Sequence, residues 1–178
     1  RLATEPAGSF WKRPAKADAG EWVSFLNSLN WVVKDRYIIL FNEPNHATEW
    51  GGEVDAANYA DVALEFARRF KDGSDDYKVM LAGFDASAPS ALPSYQDEEV
   101  FLRSVFTNDK IDEWNNLLSG WSSHSYPNPA FAGSPAEFGR GTIRNYQWEL
   151  ILLQQYGIKN LPVFITETGW DAERLGQN

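Results

Sequence analysis

The sequence contains no cysteine and only two histidines among its 178 residues. Without cysteine, the chain can form neither disulfides nor thiolate metal sites. His46 and His124 are far apart and match neither the His-x-His nor the HExxH spacing of common metal sites. We therefore expect no metal ion and no other cofactor.

Long apolar runs and an excess of positive charge are also missing. No stretch approaches the roughly 18 apolar residues of a membrane-spanning helix, so we expect no membrane segment. The chain has 25 acidic and 16 basic residues, which gives a formal net charge of −9. Such a surface repels phosphate backbones, which argues against nucleic acid as a partner. Localisation stays open, because proteins without disulfides occur on either side of a membrane.

A run of five apolar residues, Tyr37 to Phe41, leads directly into Asn42, Glu43 and Pro44. A continuous apolar run of this length is typical of a strand buried on both faces, as in a parallel sheet. Proline cannot donate to a sheet ladder, so Pro44 marks the end of the strand. The pattern places Glu43 at the carboxyl end of a strand, where α/β sheets and barrels bind their ligands.

A second stretch near the other end of the chain repeats this design. Val163 to Ile165 form an apolar run that Thr166 and Glu167 close, and a turn through Trp170 follows. The sequence therefore predicts two carboxylates at the carboxyl ends of two buried strands.

Strand candidates begin at nearly even intervals along the chain, and each interval contains a loop, a helix and another loop. The strands start near Tyr37, Val79, Gly120 and Leu161. Three helices are expected after the capping residues Asp18 (a capping-box pattern with Glu21), Asp55 and Thr142, and a further helical region runs from Val100 to Leu118. The helix after Asp55 would carry a one-faced apolar stripe of Tyr59, Ala63, Phe66 and Phe70. The alternation predicts repeated βα units and a parallel sheet.

The length of the chain distinguishes between two possible α/β folds. A doubly wound sheet could close its core within 178 residues. An eight-unit barrel at this spacing would need roughly twice that length, because typical barrels take about 250 residues and exceed 400 with insertions. If the fold is a barrel, we expect this chain to be a fragment that forms about half of it.

Two rigidly placed carboxyl groups are what the retaining hydrolysis of a glycosidic bond requires. One acts as the nucleophile, and the other protonates the leaving oxygen and then deprotonates water. The two groups must be about 5 Å apart, and strand ends supply the needed rigidity. A hydrogen bond to the 2-hydroxyl of the sugar strengthens in the transition state, and the amide of Asn42 could supply it.

These motifs resemble the clan A (β/α)8 retaining glycoside hydrolases, a group that includes the family 5 cellulases and mannanases. In that clan the acid/base glutamate follows an asparagine at the end of the fourth strand, as in Asn42-Glu43-Pro44. The nucleophile glutamate ends the seventh strand, as Glu167 would. The sixth strand often ends in His-x-Tyr, which matches His124-Ser125-Tyr126. The resemblance implies that Tyr126 hydrogen-bonds the nucleophile and that His124 orients both carboxylates.

The resemblance also assigns each strand a position in the barrel. It implies that residues 1–178 are a single incomplete TIM-barrel catalytic domain, from the end of strand three, at Arg1 to Thr4, through strand seven. The first two strands and the eighth, which carries an aromatic platform for the sugar in this clan, are absent. An early-strand arginine often contacts the nucleophile. Arg1 is not expected to take that role, because it falls on strand three.

The resemblance implies a retaining glycosidase that cleaves β-linked polysaccharides or oligosaccharides, with Glu43 as acid/base and Glu167 as nucleophile. Glu43 must then be protonated while Glu167 is ionised. Cellulose, mannan, β-1,3-glucan and simple glycosides all remain candidate substrates, and a polymer would favour secretion. Two alternatives stay open: a non-catalytic carbohydrate-binding barrel that kept the motifs, and a metal-dependent barrel hydrolase that uses these carboxylates as ligands.

Aromatic residues make up 15% of the chain and include eight tryptophans. Trp50 and Trp170 follow the two acidic motifs and are candidates for stacking on sugar. Asn45 is a further candidate for substrate contact, and equally a turn residue. We also expect the open edges of half a barrel to favour self-association and to leave the isolated chain inactive.

Overall fold

Four parallel strands follow one another along the chain, each separated from the next by at least one helix. The computed structural model describes residues 1–173. No helix in that range is long and apolar enough to cross a membrane. The elements in chain order are β1 (Pro6–Ala7), β2 (Phe10–Trp11), α1 (Asp18–Asn27), β3 (Arg36–Leu40), a 3₁₀ turn (Ala47–Glu49), α2 (Ala56–Gly73), β4 (Tyr77–Leu81), α3 (Glu98–Val105), α4 (Ile111–Leu117), β5 (Trp121–His124), α5 (Asn145–Gln155) and β6 (Val163–Glu167).

The strands form two parallel pairs, β3 with β4 and β5 with β6. The pairs meet where Ser119, just before β5, donates its N–H to the carbonyl oxygen of Val79 (2.9 Å). Helix α2 packs on β4, and α5 packs on β5. The predicted α/β fold is confirmed: the chain forms part of a (β/α)8 barrel. Over residues 1–173 the strands do not close into a ring.

The core lies between α2 and the strands. The apolar stripe predicted for this helix is fully buried, and it consists of Tyr59, Ala63, Phe66 and Phe70. The predicted cap is also confirmed, because Asp55 accepts a hydrogen bond from the backbone N–H of Asn58 (2.9 Å).

The predicted burial on both faces is wrong for β3 and β6, whereas β5 and most of β4 are buried. Tyr37 on β3 is 46% exposed and Ile165 on β6 is 48% exposed. These are the outer strands of the four, and full burial of a parallel strand needs neighbours on both faces. Beside β3 lies the segment Arg1 to Thr4, whose Leu2 donates its N–H to the carbonyl oxygen of Ile39 (2.9 Å) without forming a regular strand.

Several predicted helix limits need correction. Asp18 does not cap α1; its carboxylate accepts the backbone N–H of Ala15 instead (2.8 Å). Thr142 does not cap α5. Its hydroxyl oxygen accepts the backbone N–H of Arg144 (3.2 Å), and the helix begins only at Asn145. The predicted single helical region after Val100 is two helices, α3 and α4.

Two carboxyl groups that the sequence analysis did not single out are fully buried behind β5. Glu98 lies in the first turn of α3 and Glu149 on α5. The charges of the two groups interact unfavourably in the core, which favours a proton on at least one of them. Burial raises the pKa of both, that of Glu149 to about 7.

Glu149→Gln keeps the shape of this side chain and removes its ionisation. In the folded protein, Glu149 keeps a proton that the unfolded chain releases at lower pH. The free energy of unfolding should therefore fall as pH rises from about 4.5 to about 7. One such proton accounts for a slope of at most about 1.4 kcal/mol per pH unit.

Urea unfolding across this pH range measures the slope. We expect Glu149→Gln to flatten it, and the same substitution at the exposed Glu21 to leave it as in the wild type. An unchanged slope in Glu149→Gln would contradict the assignment of the buried proton.

Candidate active site

Glu43 lies on the segment that leaves β3, beyond the last strand residue, Leu40. Phe41 and Glu43 have positive φ angles of 74° and 30°. Such angles are uncommon for residues other than glycine and indicate local strain. The N–H of Glu43 donates to the carbonyl oxygen of Gly83 (3.1 Å). Glu43 is thus positioned by a strained turn held by the neighbouring chain segment, and not by the strand itself as predicted.

His124, the last residue of β5, connects Glu43 with Glu167. Its side chain is buried, and Nδ1 lies 2.8 Å from Oε1 of Glu43 and 3.7 Å from Oε2 of Glu167. One oxygen of each carboxylate and a ring nitrogen of the histidine all lie within 4.8 Å of one another. The structure therefore brings together the two carboxylates and the histidine that the sequence placed on three different strands.

Glu167, the last residue of β6, receives two hydrogen bonds from side chains. The hydroxyl of Tyr126 donates to Oε2 (3.2 Å). Burial and the charge of Glu167 raise the pKa of this tyrosine. The guanidinium of Arg1 donates to Oε1 and, at 2.5 Å, to Oδ1 of Asn42. The expectation that Arg1 does not contact Glu167 is wrong, because the hydrogen bond of Leu2 to β3 brings Arg1 over the strand ends.

Asn42 is oriented from both sides of its amide. Oδ1 accepts from Arg1, and Nδ2 donates to Oε2 of Glu49 in the 3₁₀ turn (3.1 Å). Glu49 therefore holds the amide beside Glu43.

The predicted substrate contact of Trp50 is wrong, and of the two roles left open for Asn45 the structure supports that of a turn residue. Trp50 is fully buried, with its ring 5.5 Å from that of Phe41 and 5.1 Å from that of Tyr59. Asn45 is also fully buried, and its amide hydrogen-bonds backbone groups of Asp85 and Gln96. Both side chains stabilise the turn after Glu43 and are not accessible to a ligand.

A cavity of about 590 Å³ opens beside the two carboxylates. Glu43, Tyr126, Glu167 and Trp170 line it, as do residues that the sequence did not place there: His46, Asp85, Ser87, Asn128, Phe131, Gly169 and Asp171. Nε2 of His46 lies 2.9 Å from Oδ2 of Asp85. Burial lowers the pKa of His46, and the negative charges of Asp85, Glu43 and Glu49 outweigh it, so the net shift is upward.

Gly83 is a structural requirement of the site that the sequence did not reveal. A Cβ atom at this position would lie 2.8 Å from Cγ of His124 and closer still to Cδ2 and Nε2. Contacts that close are not tolerated, so only glycine leaves room for the ring. The same residue accepts the N–H of Glu43.

Glu43, His124 and Glu167 are also close enough together to hold a metal ion. The Arg1 guanidinium already brings a positive charge to Glu167, and Nδ1 of His124 is engaged by Glu43. A second cation at this point would be repelled by the arginine, so the arrangement favours a site that works through protons and hydrogen bonds.

Comparison with known proteins supports the fold. No protein-family model and no curated protein matches the sequence. A GH39 β-xylosidase from Caulobacter crescentus matches 88% of this chain at 14% identity and a TM-score of 0.58. A monomeric β-xylosidase from C. crescentus CB15 also matches 88%, at 17% identity and a TM-score of 0.56.

These likenesses show the fold alone, which is part of a (β/α)8 barrel. Both matched structures are named β-xylosidases, so the comparison gives no support to family 5 in particular. This chain spans only 30% and 31% of the length of the two matched chains.

Gly83→Ala should displace the His124 ring from between the carboxylates. We expect a loss of stability of about 1–3 kcal/mol from overpacking. Gly20→Ala, on α1 with open space around its Cβ position, is the matched control and should raise stability by roughly 0.5–1 kcal/mol. Thermal unfolding of the two variants checks this. Equal stability of Gly83→Ala and the wild type would contradict the close packing of the His124 ring against Gly83.

Proposed function

We propose that this chain carries the catalytic centre of a retaining β-glycosidase, with Glu167 as nucleophile and Glu43 as acid/base. The observation that carries the proposal is the approach of the two carboxylates at His124, where one oxygen of each group lies within 4.8 Å of the other. Retaining enzymes hold these groups about 5–5.5 Å apart, and inverting enzymes hold them about 6.5–9.5 Å apart. The short separation supports the retaining mechanism.

The surroundings of the two carboxylates differ as the two roles require. Glu167 accepts hydrogen bonds from Arg1 and Tyr126, which fix the orientation of its carboxylate and suit a nucleophile. Glu43 contacts His124 and faces the cavity, where a protonated carboxyl group can reach a leaving oxygen.

The proposed reaction takes two steps. Glu167 attacks the anomeric carbon while Glu43 gives its proton to the glycosidic oxygen, which departs with the leaving group. Glu43 then takes a proton from water, and the water oxygen displaces Glu167 from the sugar. Asn42, held by Arg1 and Glu49, is placed to hydrogen-bond the 2-hydroxyl of the sugar.

We propose a β-linked polysaccharide or oligosaccharide as the substrate class. β-Xylosides are the first substrates to test, because both solved neighbours are named β-xylosidases. Glucans and mannans stay in the test set.

Glu167→Gln and Glu43→Gln test the two roles in a full-length barrel that contains this chain, because the isolated chain is expected to be inactive. We expect each to lower kcat/KM for p-nitrophenyl β-xyloside by about 10²–10⁴, the usual contribution of a catalytic acid or base, or by more for the nucleophile. Glu21→Gln, on the exposed face of α1, should hydrolyse the substrate like the wild type. Sugar binding without turnover by the wild type would instead favour a non-catalytic binding barrel. Loss of turnover on adding a chelator would favour a metal-dependent hydrolase.

The pH dependence of the rate gives a second, independent test. Glu167 must lose its proton and Glu43 must keep its proton, so the kcat/KM profile of the wild type should be bell-shaped. We expect Glu43→Gln to lose the alkaline limb while its remaining activity keeps the acidic limb. A wild-type profile with only one ionisation would contradict the assignment of two carboxylates.

A further inference from the structure

The ends of strands β3 and β4 are linked by a side chain, the hydroxyl of Tyr59 on α2. This hydroxyl donates to the carbonyl oxygen of Leu40 (3.3 Å) and accepts the backbone N–H of Ala82 (3.0 Å). Leu40 is the last residue of β3, and Ala82 directly follows β4. Because Leu40 pairs with Leu81, the N–H of Ala82 is the next donor that its carbonyl oxygen meets in a parallel ladder. The tyrosine hydroxyl therefore links the strands at the last position of the ladder.

The turn that carries Glu43 begins directly after this link. Phe41 has a positive φ of 74°, and its N–H points back to the carbonyl oxygen of Ile39 (3.2 Å). Contact with the neighbouring segment resumes at Glu43, whose N–H donates to the carbonyl oxygen of Gly83 (3.1 Å). The strained turn is thus held at both ends, by the Tyr59 hydroxyl where it begins and by Gly83 where it presents the carboxylate.

Tyr59 is itself fixed by aromatic packing. Its side chain is fully buried, and its ring centroid lies 5.1 Å from that of Trp50, 5.6 Å from that of Phe101 and 6.0 Å from that of Phe84. The ring of Trp50 packs in turn on Phe41, the first residue of the strained turn. These contacts leave the hydroxyl little freedom to move relative to the two strand ends.

The position of this turn matters for one of the two carboxylates and not for the other. Oε1 of Glu43 lies 2.8 Å from Nδ1 of His124. A general acid must lie within hydrogen-bond reach of the atom that it protonates, so a shift of the turn impairs proton transfer directly. Glu167 ends β6, which pairs with β5 and not with β3, so its position does not depend on the Tyr59 link.

We propose that Tyr59 is a positioning residue for the acid/base, because its hydroxyl fixes the end of β3 and with it the turn that presents Glu43. The effect on proton transfer rests on the proposed function, whereas the effect on the turn does not. Tyr59 acts through Glu43 and touches no reacting atom, since the structure buries it completely.

Tyr59→Phe in a full-length barrel that contains this chain tests the effect on proton transfer. The substrates are phenyl and 2,4-dinitrophenyl β-glycosides of xylose, glucose and mannose. Phenolate needs a proton from Glu43 to depart, whereas dinitrophenolate is stable enough to depart without one. We expect kcat/KM to fall roughly tenfold for the phenyl glycoside and to stay within about twofold for the dinitrophenyl glycoside. A loss of folded protein lowers both rates by the same factor, so the ratio of the two rates isolates the position of Glu43.

Tyr77→Phe is the matched control. Tyr77 begins β4, at the end remote from Glu43, and it is also buried, with its hydroxyl donating to Oδ1 of Asn27 (2.7 Å). This variant also loses a buried tyrosine hydroxyl, and we expect it to keep the wild-type ratio of the two rates. An equal loss on both substrates in Tyr59→Phe, no loss on either, or the same change of ratio in Tyr77→Phe would each overturn the inference.

Amide hydrogen exchange of the same variants tests the effect on the turn without turnover. We expect the N–H of Glu43 to exchange roughly tenfold faster in Tyr59→Phe than in the wild type, and at the wild-type rate in Tyr77→Phe. Unchanged exchange at Glu43 in Tyr59→Phe would overturn the inference.

The two proposals fail separately in these measurements. Faster exchange at Glu43 in Tyr59→Phe, with no β-glycoside hydrolysed by the wild type, would contradict the proposed function and leave Tyr59 as the residue that fixes the turn. Hydrolysis that depends on Glu43 and Glu167, with an unchanged ratio of rates in Tyr59→Phe, would overturn the positioning role alone.

Discussion

The contact between His124 and Glu43 joins the two halves of the sheet at the candidate site. Glu43 follows β3 in one strand pair, whereas His124 and Glu167 end the strands of the other pair. The pairs themselves meet through a bridge at Val79. The buried imidazole, 2.8 Å from Glu43 and 3.7 Å from Glu167, therefore sets the separation of the two carboxylates. Gly83 makes the contact geometrically feasible, since any side chain there would occupy the position of the ring.

Around this contact, the acidic groups of the site have different partners. Glu167 accepts hydrogen bonds from Arg1 and Tyr126, Asp85 contacts His46, and Glu43 contacts the imidazole of His124. Such different surroundings are how enzymes give two neighbouring carboxyl groups different roles. The strained turn that presents Glu43 fits the same account, because strain is retained where a precise geometry is needed.

The sequence predicted the parts of this structure that local patterns encode. Apolar runs ending in Glu43 and Glu167 identified the strands, and the stripe from Tyr59 to Phe70 identified α2, because both follow from periodicity within one element. The contacts of Arg1, Gly83 and the Tyr59 hydroxyl depend on segments that are distant in sequence and meet only in the fold. Trp50 was misplaced for a related reason. A tryptophan after an acidic motif can face either the cavity or the core, and its neighbours Phe41 and Tyr59 decide that outcome.

Trapping of the covalent intermediate in a full-length barrel that contains this chain tests the central claim most directly. A 2-deoxy-2-fluoro-β-glycosyl fluoride reacts with the nucleophile of a retaining glycosidase and leaves a glycosyl-enzyme ester that mass spectrometry can locate. The account predicts one added sugar, on the peptide that contains Glu167. An adduct on Glu43, or hydrolysis of β-glycosides with no adduct at all, would contradict it.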